Sequence, residues 1–260
     1  MKFYFQMWWL FTRAALRTQM ADASNAVLWA AATLLGMLLE WATLWALFAR
    51  FGSIPGWDFA SSSMLFGLVR IAFGIAEMIG RGFDRFHHVI RKGDFDRMLL
   101  RPIPVAIQLS VAEFSRFGMI GAGLVAFIYG CSAAHIVVNL GTLAYLIAVI
   151  SGGAALFYGL LMMQATLCFW TVDGIEVANA VVYGGQTAAQ LPLDKLSRPL
   201  TFVFTYIFPL AIINWIPAKA LLTGEFTGLA LAAPVIGWLF FALGALVWKI
   251  GVRAYTSTGS

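Results

Sequence analysis

The chain has 260 residues, of which 61% are hydrophobic and only 11% are charged, and its mean hydropathy is +0.84. Soluble domains usually carry about 25% charged residues, so this composition excludes an ordinary soluble globular protein. The net charge of +5 does not indicate nucleic-acid binding, because the basic residues flank apolar segments instead of forming one soluble face. Apolar runs long enough to cross a hydrocarbon layer of about 30 Å recur along the chain, which predicts an all-α, polytopic membrane protein.

The first segment, residues 1–22, predicts an amphipathic helix that lies in the lipid headgroup layer. Lys2, Gln6, Arg13 and Arg17 fall near one face of a helix, and apolar side chains cover much of the remaining surface. The segment lacks the short apolar core and small-residue exit of a cleavable signal peptide, so we expect it to be retained.

Hydropathy then predicts six membrane-spanning helices. They cover residues 26–49, 59–80, 103–130, 136–170, 200–222 and 227–249. The fifth span has an alternative, because the more polar residues 174–191 could cross while the proline-broken residues 200–222 dip back into the membrane. Irregular backbone at that depth is tolerated only where protein or a water-filled cavity covers it. Hydropathy favours 200–222, and either choice gives six spans.

The basic residues predict the orientation. Six of the seventeen Lys and Arg residues lie between Arg81 and Arg101, and we interpret residues 81–102 as a cytoplasmic loop. With the N-terminus inside, thirteen basic residues lie on the inner side, whereas only Arg50 and Lys219 lie on the outer side. Because Lys and Arg resist translocation, both termini are predicted to be cytoplasmic.

Five charged residues fall within the predicted spans: Glu40, Arg70, Glu77, Glu113 and Arg116. A charge at the bilayer centre costs about 2.5–3.5 kcal/mol on insertion scales, so each should pair with another group or face water. Glu113 and Arg116 are close enough to pair within one helix, and Arg70 shares a face with Glu77. By depth, Arg70 is expected near Glu113, and Glu40 nearer Arg116. These residues either line a translocation path or form structural pairs between helices; the structural interpretation is favoured.

Motifs for catalysis or nucleotide binding are missing from the sequence. No G-x-x-x-x-G-K-[ST] occurs, so the chain cannot cradle the phosphates of ATP, and H-E-x-x-H, paired C-x-x-C and G-x-S-x-G are absent as well. His87 and His88 are adjacent and point to different helical faces, so we predict no metal site there. We therefore expect a protein that is not an enzyme and holds no cofactor of its own.

Three stretches resemble the ABC type-2 export permeases, in the branch near the daunorubicin-resistance and viologen-exporter permeases. These are KGDFDRMLLRPIP (Lys92–Pro104), FPLAIINWIPAKALLTGE (Phe208–Glu225) and GVRAYTSTGS (Gly251–Ser260). Their order and spacing carry the resemblance, whereas the N-terminal part of the chain fits mainly by its topology.

The resemblance implies a six-span half-transporter in the bacterial inner membrane, surrounded by membrane lipids. It implies a dimer with the same or a related permease, an unknown exported substrate, and separate ABC ATPase subunits that bind ATP and magnesium. The loop between spans two and three would contact the ATPase through Phe83, Arg85, Arg91, Asp94, Phe95, Asp96, Arg97, Met98, Leu99 and Arg101. Pro209, Pro217 and Gly224 would shape an outer gate.

The residues of the loop are compatible with such a contact. Gly93 permits a break, and Asp94 or Asp96 could cap a short helix after it. The apolar side chains available as an anchor are Phe95, Met98 and Leu99, flanked by charged residues. The alternative is a lipid-facing basic loop that only follows the positive-inside rule. At the level of function, the alternatives are a proton-coupled secondary carrier and a membrane scaffold without transport activity.

Overall fold

The computed structural model describes residues 2–21, 23–111, 117–171 and 175–256. Most of these residues are helical, and the described ranges contain no β-strand beyond an isolated bridge between Ile54 and Trp57. The first half of the chain forms α1 (Lys2–Met20), α2 (Ala23–Phe51), α3 (Phe59–Asp84), α4 (Phe86–Arg91), α5 (Asp94–Leu99), α6 (Val105–Val111) and α7 (Phe117–Ala133).

The second half is more irregular. It forms α8 (Leu140–Leu167), α9 (Ile175–Ala188), a 3₁₀ turn (Leu193–Lys195), α10 (Arg198–Phe202), a π-helical turn (Val203–Ile207), a second π-helical turn (Ala211–Trp215), α11 (Ile216–Thr223) and α12 (Gly228–Ala254). The helix α10 runs directly into the first π turn, and the second π turn runs directly into α11.

Four helices in the described part of the chain are long and apolar enough to cross a membrane. They are Ala23–Phe51, Phe59–Arg91 (which joins α3 and α4), Leu140–Leu167 and Gly228–Ala254. The helices Arg198–Ile207 and Ala211–Thr223 form a fifth candidate if this pair, bent by 83°, counts as one span. A nearly all-helical chain with several candidate spans is therefore observed, while the count of six and the placement of both termini stay predictions.

Two of the predicted spans differ in detail from the observed helices. Within 103–130 the structure has α6 and α7, separated by residues 112–116, which lie outside the described residues. Within the predicted span 136–170 the helix begins only at Leu140, and residues 136–139 are not helical. The Asn139 side chain fixes this start by accepting a hydrogen bond of 2.8 Å from the backbone N–H of Thr142.

The helix α3 occupies the centre of the bundle. It packs against α6, α7 and α8, and it is buried along nearly its whole length. The helix α2 packs mainly on α7, and none of its most apolar stretch is buried. The mean hydropathy of that stretch nevertheless equals that of the most apolar stretch in Phe59–Arg91, which is mostly buried. The position of a helix in this bundle therefore depends on its packing partners and not on its hydropathy.

The helices α8 and α12 touch backbone to backbone along a row of glycines. Gly237 on α12 lies opposite Gly152 on α8, and Gly244 lies opposite Gly159. On each helix the two glycines are seven residues apart. A Cβ atom at Gly237 would lie 2.1 Å from the carbonyl oxygen of Gly152, and one at Gly244 would lie 2.6 Å from that of Gly159. Small residues of this kind let membrane helices approach closely, so the two helices form a tight pair, here called the glycine seam.

The same device joins α3 to α7. A Cβ atom at Gly67 would lie 2.5 Å from the backbone nitrogen of Phe127, and one at Gly130 would lie 2.3 Å from the backbone nitrogen of Met64. Because these contacts involve backbone atoms, a larger side chain at either glycine would force the helices apart.

The predicted fifth span, residues 200–222, is not a single straight helix. It is interrupted between Ile207 and Ala211, and the helices on either side are bent by 83°. Pro209 lies at the break, and a proline supplies no backbone N–H for a helical hydrogen bond. The preceding helix α9, which covers most of the alternative candidate, packs against α8. Either segment can still serve as the fifth span.

Candidate functional site

The predicted coupling loop is built from two short helices, α4 and α5. Gly93 has a φ of +69°, the left-handed region that favours glycine, and it is the N-cap residue of α5. Asp94 and Asp96 both lie in the first turn of α5, and no side chain caps this helix. The prediction that one of these aspartates caps the helix is therefore wrong. Their carboxylates instead stand where the helix dipole favours negative charge.

The inner face of α4 and α5 is held by an aromatic cluster, which consists of Phe83, Phe86, Phe95, Phe169, Trp248 and Tyr255. Phe83, Phe86 and Phe95 are fully buried. The ring centroid of Phe95 lies 4.7 Å from that of Tyr255 and 5.3 Å from that of Phe86. The rings meet edge to face, the arrangement that aromatic pairs prefer. The cluster thereby joins the coupling helices to the ends of α3, α8 and α12.

This burial changes the roles expected of two predicted contact residues. Phe83 and Phe95 were expected at the surface that meets an ATPase, but neither side chain is exposed. A direct contact through them does not fit the structure, because their rings are already enclosed by the aromatic cluster. An apolar residue in a polar loop can be buried against a partner or against the protein's own core, and the sequence does not distinguish these two cases. Phe95 was assigned to the partner, whereas its ring packs into the core.

The outer face of the two helices is basic and partly apolar. Its exposed residues are Arg85, His88, Arg91, Lys92, Arg97, Leu99, Leu100 and Arg101. Leu100 is 85% exposed and Leu99 is 44% exposed. Arg97 pairs with Asp94 within α5, and because this pair is solvent-exposed it contributes only about 0–1 kcal/mol to stability. Asp96 and Met98 are half-buried, so the predicted contact residues divide between an exposed face and the protein's own interior.

A buried glutamine ties the end of α5 to α6. The side-chain amide of Gln108 donates hydrogen bonds of 2.9 Å to the carbonyl oxygens of Met98 and Ile103. Because Gln108 is itself buried, both contacts are protected from water. The coupling loop is thus fixed to the bundle at both of its ends.

A buried polar cluster lies where α3, α8 and α9 meet, and it consists of Glu77, Arg81, Asp84, Gln164, Asn179 and Tyr183. Within α3 the guanidinium of Arg81 donates to Glu77 at 2.6 Å and to Asp84 at 2.8 Å. The Tyr183 hydroxyl from α9 lies 2.9 Å from a carboxylate oxygen of each of these acids. The side chain of Gln164 on α8 donates to Asn179 at 2.6 Å and to Asp84 at 3.2 Å.

Sequence reasoning found only part of this cluster. Glu77 was among the intramembrane charges, whereas Arg81 was counted with the cytoplasmic loop. The spacing of Glu77, Arg81 and Asp84 places them on one helical face, and this signal is visible in the sequence. The partners from α8 and α9 carry no such signal, since only the tertiary fold brings Gln164 and Tyr183 to that face.

A second ion pair joins α2 to α3. The guanidinium of Arg70, whose side chain is 5% exposed, contacts the carboxylate of Glu40, whose side chain is 49% exposed. The same guanidinium lies 5.3 Å from the ring centroid of Phe66. The depth argument expected Arg70 near Glu113 and Glu40 nearer Arg116. The structure brings Arg70 to Glu40, while Glu113 and Arg116 lie outside the described residues.

The three predicted gate residues occupy breaks in the last irregular segment. Pro209 is buried at the bend between the two π turns, and Pro217 is buried in the first turn of α11. Gly224 ends α11 with a φ of +73°. The three residues lie at successive points where the helical backbone changes direction or stops.

Asn214, which sequence reasoning missed, lies in the second π turn. Its side chain is fully buried, and neither amide atom has a hydrogen-bond partner among the described residues. Its oxygen lies 3.8 Å from the position that a Cβ atom at Gly153 would occupy, near the midpoint of α8. A buried amide without a hydrogen-bond partner lowers the stability of the fold by about 1–3 kcal/mol. π turns are frequent at functional sites.

The comparisons with known proteins agree with this architecture. Residues 32–259 match the family described as ABC-2 family transporter protein. This range contains the coupling helices, the aromatic cluster and the buried polar cluster. No match to a curated protein or to a solved structure was found. Because the match covers most of the chain, the resemblance predicted from the three sequence stretches is confirmed, and the chain belongs to the ABC-2 transporter family, the membrane permeases of ABC transporters.

Proposed function

We propose that the chain is the membrane-spanning permease subunit of an ATP-driven exporter in a bacterial inner membrane. Its family implies association with ABC ATPase partners, and its sequence has no phosphate-binding loop of its own. ATP and magnesium therefore bind to the separate ATPase subunits. The permease works as a dimer with the same or a related chain, and the path for the exported substrate lies between the spans.

The two-sided construction of α4 and α5 is the observation that supports this proposal best. One side is enclosed in the aromatic cluster, and the other side is exposed, basic and carries Leu99 and Leu100. A basic loop that only follows the positive-inside rule has no need for a buried aromatic face. A loop that transmits the movement of a partner does need such a face. Phe86 and Phe95 transmit the displacement to the ends of α8 and α12 through their ring contacts.

In this mechanism, closure of the ATPase subunits shifts the permease between an inward-facing and an outward-facing state. The glycine seam moves as one body, because a backbone contact without intervening side chains leaves little room for separate motion. The segment with Pro209, Asn214, Pro217 and Gly224 acts as the outer gate. The Glu40–Arg70 pair and the buried polar cluster serve as structural links between helices, the interpretation favoured from the sequence.

The proposal is tested by changing the exposed face of α5 without touching its buried face. The variant Arg97→Glu with Leu99→Ser alters two exposed side chains. We expect the full-length variant, purified from its native membranes, to keep its melting temperature but to lose both the copurifying ATPase and substrate-stimulated ATP hydrolysis. Arg50→Glu is the matched control, since it makes the same charge change at an exposed residue on the predicted outer side.

Two results would contradict the proposal in different ways. Normal ATPase recruitment and stimulation in the Arg97/Leu99 variant would show that α5 is not the docking surface. Transport by the purified wild-type chain that follows a proton gradient and needs no ATPase would identify a secondary carrier instead. Phe95→Ala is unsuitable for this test, because loss of a buried aromatic ring destabilises a protein by about 3–5 kcal/mol whatever its function.

A further inference from the structure

A cleft of about 330 Å³ opens between the start of α6, the second half of α8 and the end of α12. Its walls are apolar and include Val105, Met162 and Trp248, and its rim carries Lys249 and Arg253. None of these residues belongs to the exposed face of α5. The cleft therefore has a chemistry of its own: two cations above an apolar wall.

The two cations stand one helical turn apart on α12 and are exposed. Among the residues that the structure describes, neither forms an ion pair with a carboxylate. Like charges at this spacing repel each other by about 0.2–0.5 kcal/mol, so an anion held between them is favourable. The positive-inside rule explains why two cations end this helix, but not why they flank an apolar cleft.

The position of the cleft along α12 matches the level of lipid headgroups. Lys249 and Arg253 lie in the last turns of the candidate span Gly228–Ala254, where long basic side chains reach the membrane interface. Pro104, Ala106 and Val252 face the same cleft and keep exposed or half-buried apolar surface there. A free phosphate would neutralise the cations but leave these walls uncovered. A zwitterionic lipid would cover the walls but bring no net negative charge.

We propose that this cleft binds one anionic phospholipid of the cytoplasmic leaflet. The phosphate lies between Lys249 and Arg253, and part of an acyl chain runs along Pro104, Ala106 and Val252. Trp248 also belongs to the aromatic cluster, with ring centroids 5.0 Å from Phe83 and 5.1 Å from Phe86. The bound lipid therefore packs beside the aromatic cluster that holds α4, and its binding stabilises the inner end of the bundle.

The test uses the full-length chain in detergent, with any subunits that copurify, and follows its melting temperature during lipid addition. Phosphatidylglycerol and phosphatidylcholine with identical acyl chains are compared with inorganic phosphate. A ligand that binds only the folded state raises the melting temperature. We expect phosphatidylglycerol to act at a concentration about tenfold or more below that of phosphatidylcholine, and inorganic phosphate to have no effect.

Two variants separate the cleft from general headgroup attraction. Lys249→Gln with Arg253→Gln removes both rim charges from exposed positions and should abolish the preference for phosphatidylglycerol. Arg13→Gln with Arg17→Gln is the control, because it removes the same charge at the same spacing from the exposed surface of α1, away from the cleft. Ala245→Phe keeps the cations but fills the cleft, and it should weaken the response as well.

Several outcomes would overturn the proposal. Equal responses to the two lipids would show that the charge is not recognised, and an equal response to inorganic phosphate would show a free-anion site. An unchanged preference in the Lys249/Arg253 variant, or an equal loss in the Arg13/Arg17 control, would show that the cleft is not the site. The inference requires a chain that lies in a membrane with the end of α12 at the cytoplasmic face, and it involves no ATPase, so its failure would leave the proposed coupling to an ATPase untouched.

Discussion

At the scale of single residues, Tyr183 joins elements that are distant in the sequence. Its ring packs against Phe73 with centroids 5.6 Å apart, and its hydroxyl is shared between Glu77 and Asp84. The hydroxyl of one tyrosine thus bridges two carboxylates that flank the same arginine.

We expect Tyr183→Phe to lower the stability of the chain by about 1.5–3 kcal/mol, the usual range for hydrogen bonds to charged groups. The measurement is thermal unfolding of the purified protein in detergent. Tyr206→Phe is the control, because it removes the same hydroxyl from a residue that is 73% exposed. Equal melting temperatures for the two variants would show that the buried polar cluster does not depend on Tyr183.

At the scale of elements, glycine spacing decides which helices lie closest together. The seven-residue repeat of Gly237, Gly244 and Gly251 on α12 is visible in the sequence and predicts a face of close approach. The sequence does not say which helix meets that face, because α7 and α8 carry similar repeats. The structure assigns it to α8, where a Cβ atom at Gly251 would lie 2.4 Å from a methyl carbon of Thr166.

Gly237→Ala should therefore destabilise the chain by about 1–3 kcal/mol or more, the cost of forcing an extra carbon into a packed contact. Its Cβ would collide with a backbone carbonyl oxygen, which cannot rotate away as a side chain can. Gly36→Ala on α2 is the control, because nothing lies within 4 Å of its Cβ position. Alanine is the better helix former by about 1 kcal/mol, so the melting temperature of the control should stay equal or rise. A destabilised control with a stable Gly237 variant would refute the glycine seam.

At the scale of the whole molecule, composition and charge predicted the class of protein, and the family match confirms it. The predicted spans 26–49, 136–170 and 227–249 overlap α2, α8 and α12, each of which is a continuous apolar helix. Hydropathy could not distinguish the buried α3 from the exposed α2. The lipid and the protein interior are both apolar environments, so the same apolar side chains suit either one. Hydropathy also could not foresee that Phe95 faces inward, since the partner rings Phe169 and Tyr255 come from the residues that follow α8 and α12.

The orientation predicted from the basic residues is open to a direct test in cells. Short epitopes are placed at the N-terminus, at the C-terminus and after Gly56, in the exposed loop between α2 and α3. With intact inner membranes, we expect an antibody to reach only the epitope after Gly56, because thirteen of the seventeen basic residues lie on the inner side of the predicted topology. Labelling of either terminus without permeabilisation would contradict this topology.

A further epitope after Ser197 decides between the two candidates for the fifth span. If residues 200–222 cross the membrane, as hydropathy favours, this epitope should be reached only from inside. If residues 174–191 cross instead, it should be reached from outside. The bend of 83° within the first candidate makes this the least determined part of the topology.

The contact between Tyr255 and Phe95 has a practical consequence for following the protein at work. Their ring centroids lie 4.7 Å apart, so the chain leaves α12 directly beside α5. A small fluorophore attached at Thr256, the exposed residue after this tyrosine, would lie close to α5 on the side of its buried face. It would report the approach of a labelled ATPase to the proposed docking surface by energy transfer, in real time and without altering any side chain of that surface.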